Sequence, residues 1–145
     1  MDAEEKAGMT RAVIAGIYLV ICALTDIRTR RISVPLSIAA ALTGTGFAIY
    51  SRCAPQEIMI RVLPGLLILA LSWLTRGAVG AGDGIVIAVV GLFLDPGQLL
   101  GTWLAGSFFA AVAAGILFIR TRQGKREIPY VPFLLAGYLA ALLIR

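Results

Sequence analysis

The chain has 145 residues, enough for a single domain, residues 1–145, with one core. Hydrophobic residues make up 59% of it and charged residues 14%, with a mean hydropathy of +0.91, a profile that excludes an ordinary soluble domain and matches an integral membrane protein. The net charge of +5 does not point to nucleic acid, because the basic residues sit in short runs between apolar stretches, where they set topology in the lipid bilayer.

Some chemistries are excluded at once. Histidine is absent, which removes the H-E-x-x-H metalloprotease and any Ser-His or Cys-His dyad. Cys22 and Cys53 are isolated, with no C-x-x-C pair, so neither a zinc site nor a redox motif is expected. No metal and no cofactor are expected.

In chain order, the acidic stretch DAEEK has the wrong charge for a signal-peptide n-region, so no cleaved leader is expected. Uncharged runs then cover 12–25, 32–51, 62–75, 84–94, 96–119 and 128–144. A spanning helix needs about 20 residues. The second, fifth and sixth runs qualify directly. The first does so from Met9 to Asp26 with Arg11 snorkelling, and the third from Ile58 with Arg61 reaching back to the surface. Within the third, Pro64-Gly65 predicts a kink.

The fourth run is short. As a helix, residues 84–94 cover only about 16 Å, roughly half of a 30 Å hydrocarbon core. Extension back to Gly77 makes it long enough to span and brings Gly80, Gly82 and Asp83 to the membrane boundary. Asp95-Pro96-Gly97 then reads as a turn, with Asp95 structural. Small residues, among them Ala39–Ala41, Gly44, Gly46, Gly101, Gly106 and Ala110 to Gly115, predict close helix packing in lipid.

The expected fold is therefore all-α and polytopic, with six transmembrane helices. Loops 1–2, 3–4 and 5–6 hold Arg28, Arg30, Arg31, Arg76, Arg120, Arg122, Lys125 and Arg126; the opposite side holds Lys6, Arg11, Arg52 and Arg145, and Arg61 lies inside the third span. The odd loops are expected in the cytoplasm and both termini outside.

On the cytoplasmic side lie three acids: Asp26, Asp83 and Glu127. Two complete spans separate Asp26 from Asp83, so both emerge on the same face whichever way the chain inserts. Ionisable groups at membrane depth are functional-site candidates. Two close carboxylates share one proton, so one can accept a proton from water while the other polarises a carbonyl. The bland reading makes Asp26 a helix-end partner of Arg28 or Arg30, and Asp83 a cap for its helix. The flanking Gly80 and Gly82 favour a site, since a backbone that admits a substrate strand needs glycine and a cap does not.

The chain resembles a known family at three places. Gly80-Ala81-Gly82-Asp83 is similar to the G-x-G-D signature of intramembrane aspartic proteases. The stretch D-I-R-T-R-R-I, Asp26 to Ile32, resembles the first aspartate motif of the type IV prepilin peptidases. K-R-E-I-P-Y-V-P-F, Lys125 to Phe133, resembles their last motif. The resemblance implies an aspartic endopeptidase of the prokaryotic cytoplasmic membrane that removes short basic leaders from pilin-like precursors at the cytoplasmic face. Asp26 and Asp83 would be its catalytic pair.

There are departures. Ile32-Ser33-Val34 stands where the family usually has Ile-Pro-Asn, and Ile85 where it commonly has lysine. The cytoplasmic insert with paired cysteines of the larger, N-methylating relatives is absent, which implies a protease only. Pro129 and Pro132 read as helix-start residues, and Glu127 as a loop partner of Lys125 or Arg126. The competing reading is a non-catalytic carrier or assembly subunit using two buried aspartates as cation or proton sites. Carriers commonly repeat a broken helix in both halves, and no second segment resembles 77–84. A degenerate scaffold is disfavoured because both aspartates are present.

Overall fold

The computed structural model describes residues 2–122 and 128–144. Lys125, Arg126, Glu127 and Arg145, all used above to assign topology or pairing, lie outside the described residues. Among the described residues the regular structure is all helical, in six helices: α1 (Ala3–Thr29), α2 (Val34–Tyr50), α3 (Pro55–Leu74), α4 (Ala81–Phe93), α5 (Pro96–Thr121) and α6 (Val131–Leu143).

Three of them, α1, α3 and α5, are long and apolar enough to cross a membrane. The other three are shorter than the sequence suggests. α2 has 17 residues, α4 and α6 have 13 each, so the last two cover only about 20 Å of a roughly 30 Å core. The physical reasons are local. Arg30 closes α1 in a left-handed conformation and Pro35 sets the start of α2. Gly77 has φ +87, which ends the backward extension of the fourth helix, and the chain becomes helical again only at Ala81. Pro132 holds the start of α6 in its first turn, as its sequence position predicts. Conversely, α1 runs six residues further toward the N-terminus than Met9, with Glu4 and Glu5 in its first turn facing the positive end of the helix dipole.

A 13-residue apolar helix is tenable because α4 is surrounded. Val86, Ile87, Val89, Val90, Leu92 and Phe93 are all buried, and α1, α2, α3 and α5 pack around it. A helix apolar on every side belongs in such an interior. The outer helices do the reverse and turn large apolar side chains outward, including Ile17, Leu67, Trp73 and Phe108. Lipid, with no hydrophobic penalty, is the solvent that suits that surface.

α3 and α4 meet backbone to backbone. A Cβ on Gly65 would collide with the Ala88 amide, and one on Gly91 with the Arg61 carbonyl. Gly65 thus serves this close approach, beside Pro64 inside a continuous helix. Near the far end of α3, Arg61 does not reach freely to the surface. It is buried and bonds Asp95 Oδ1 at 3.3 Å, tying α3 to the N-cap of α5.

Candidate active site

Asp26 occupies the last turn of α1 and is 9% exposed. Its Oδ2 accepts the backbone N–H of Val131, the first residue of α6, at 3.2 Å. Helix N-termini carry unpaired N–H groups and a partial positive charge, so a carboxylate there is favoured. The neighbours explain why Val131 is the donor. Pro132 has no N–H, and Phe133 already donates to the Tyr130 carbonyl at 3.0 Å. The stretch from Ile128 to Phe133 is thereby fastened to the first aspartate. Arg30, one turn on, also lies within electrostatic reach of Asp26.

Asp83 sits three residues into α4, after Gly80 as N-cap. Its carboxylate makes no hydrogen bond or ion pair among the described residues and lines a cavity of about 630 Å³. Asp26 lines the same cavity, and each carboxylate lies within electrostatic reach of the other. The pairing of bland roles is therefore split: Asp26 does neighbour Arg30, while Asp83 makes no capping bond.

The two glycines have separate reasons. A Cβ on Gly80 would stand 2.9 Å from Asp83 Oδ2, so glycine there makes room for the carboxylate itself. A Cβ on Gly82 would stand 2.7 Å from Ile32 Cδ1, so that glycine seats the second motif against the end of the first. Both also line the cavity.

Other lining residues come from all three motifs: Arg30, Arg31, Ile32 and Val34 from the first, Ile85 beside the second, and Ile128, Pro129 and Tyr130 from the third. The departures Val34 and Ile85 thus face the cavity, whereas Ser33 is the N-cap of α2. Tyr130 was not singled out by sequence reasoning. Its hydroxyl and Ser107 Oγ on α5 lie 2.9 Å apart, and it is within electrostatic reach of Asp83. Its place in the third motif was the available signal. Asp95 and Glu57 do not line this cavity.

A family model described as the type IV leader peptidase family matches residues 13–119. The chain belongs to that family. It is accordingly a peptidase-family membrane protein, with Asp26, Gly80, Gly82 and Asp83 all inside the matched stretch. The match ends before Ile128, and the third motif reaches the cavity through the Val131–Asp26 bond. No curated protein and no solved structure matches the chain.

Proposed function

We propose that the protein is an aspartic endopeptidase that removes short basic leaders from pilin-like precursors at the cytoplasmic face of a prokaryotic membrane, with Asp26 and Asp83 as its catalytic pair. The observation that carries this reading is the convergence of both carboxylates on one cavity at the ends of helices α1 and α4.

The chemistry follows from the pair. With one proton between them, the ionised carboxylate takes a proton from a water molecule, whose oxygen attacks the scissile carbonyl carbon. The protonated partner donates to the carbonyl oxygen, giving a neutral tetrahedral diol. Transfer of the water-derived proton to the leaving amine breaks the C–N bond, and the diol passes a hydroxyl proton to the ionised partner, which restores the singly protonated pair. The Asp26 carboxylate is held by the Val131 N–H, so it need not reorganise during the reaction. Gly80 and Gly82 line the cavity beside Asp83 and leave that part of its wall without side chains of their own. Arg30 and Arg31 on the cavity wall repel a leader's cationic residues, which lie clear of the cavity while the segment around the scissile bond enters. Val34 and Ile85 then contribute to substrate choice.

The test is to incubate membranes containing the protein with a candidate prepilin and sequence the N-terminus of the product. Cleavage after the basic leader, absent with Asp83→Ala, supports the reading. An uncut precursor in both samples goes against it.

A further inference from the structure

At the end of α1 away from Asp26, a second cavity of about 950 Å³ opens beside Glu4, Glu5, Arg11, Arg61 and Asp95. Arg61 is 8% exposed and, among the described residues, bonds only Asp95, which is itself 61% exposed; among the same residues the Arg61 Nε is buried without a partner. A buried cation held by a largely solvated carboxylate on one edge is incompletely compensated. Arg11, half-buried, has no carboxylate partner among the described residues. It bonds Ser51 Oγ and lies 6.0 Å from the Phe47 ring centroid, and its Nε is also buried without a partner among the described residues. Each guanidinium carries five N–H donors in a fork suited to phosphate, and most of these ten are unspent.

This cavity runs into an apolar groove of about 580 Å³ between α1 and α6, with Met9, Ala12 and Leu142 common to both. The one hydroxyl along the groove, on Tyr138, is spent on the Ala12 carbonyl at 2.6 Å. Along α1 the groove extends from Met9 to Ile21, about 18 Å of helix. One leaflet of hydrocarbon is about 15 Å deep. The groove is the depth of a single leaflet.

We infer that this composite surface binds a phospholipid whose headgroup carries an ammonium. The phosphate lies against Arg11 and Arg61, and one acyl chain fills the groove along Val13 and Ile17. Glu4 and Glu5 precede Arg11 on α1, nearer its N-terminal end, and line the same cavity. A headgroup ending in an ammonium places a further cation against those two carboxylates; one ending in hydroxyls adds none. The site is independent of the cavity holding Asp26 and Asp83.

Native mass spectrometry of the delipidated protein in mild detergent tests this, with phosphatidylethanolamine, phosphatidylglycerol of the same chains, and inorganic phosphate as separate arms. One phosphatidylethanolamine adduct should form, about fivefold tighter than phosphatidylglycerol, the scale of an exposed charge pair. Arg11→Gln should weaken it about tenfold, as loss of a charged hydrogen bond does. Val13→Trp should block it by filling the groove from a position 55% exposed, where folding is not at stake. Equal binding of the two lipids, phosphate binding as tight as lipid, or full binding by the Val13→Trp protein would overturn the inference.

Discussion

The two carboxylates differ in what holds them. Asp26 is fixed by a backbone N–H from α6, while Asp83 is positioned only by the turn that precedes it. That turn explains a specific vulnerability. In Gly80→Ala the new methyl meets Asp83 Oδ2, and the movable partner is the carboxylate. Cleavage should fall about a hundredfold, the cost of a displacement near 1 Å at a reacting group, while the melting temperature in detergent stays put. In Gly82→Ala the methyl meets the flexible end of Ile32 instead, so the loss of cleavage should be smaller; equal losses would contradict this division. Asp95→Asn is a poor inert control, since it removes the partner of buried Arg61. Glu57→Gln, exposed and away from both cavities, should retain full activity. Asp26 and Asp83 are legible in the sequence because charge stands out in an apolar chain. Val131 and Tyr130 are not, since a backbone donor and a neutral aromatic look like any other helix start.

At the scale of elements, the number of helices is legible from the uncharged runs, and their ends are not. Hydropathy reports which residues avoid water and cannot tell lipid from a protein interior, so it does not reveal that α4 is sheltered by four neighbours. The left-handed turn at Gly77 is likewise invisible to a count of apolar residues. Small residues mark packing positions without naming partners. Gly106 and Gly137 bring α5 and α6 into backbone contact, whereas a Cβ on Gly115 would meet nothing. Gly137→Leu should therefore destabilise the protein by at least about 1–3 kcal/mol, as overpacking does, and Gly115→Leu should be tolerated. Thermal unfolding in detergent distinguishes them.

For the whole molecule, the odd-loop arginines predict that a reporter fused after Arg31 reads cytoplasmic and one near Gln56 reads external. The opposite pattern would place the cavity in the wrong compartment for a cytoplasmic leader. A carboxylate pair also predicts that cleavage resists metal chelators and serine-directed reagents; loss on chelation would point to other chemistry. The central claim is that Asp26 and Asp83 act as one unit, and single-turnover cleavage of a prepilin by Asp26→Asn, Asp83→Asn and the double variant tests it most directly. Each single variant should insert and fold yet lose cleavage, and the double should be no worse than either, because groups acting as a unit are non-additive. Substantial cleavage by either single variant, with its fold intact, would contradict the account.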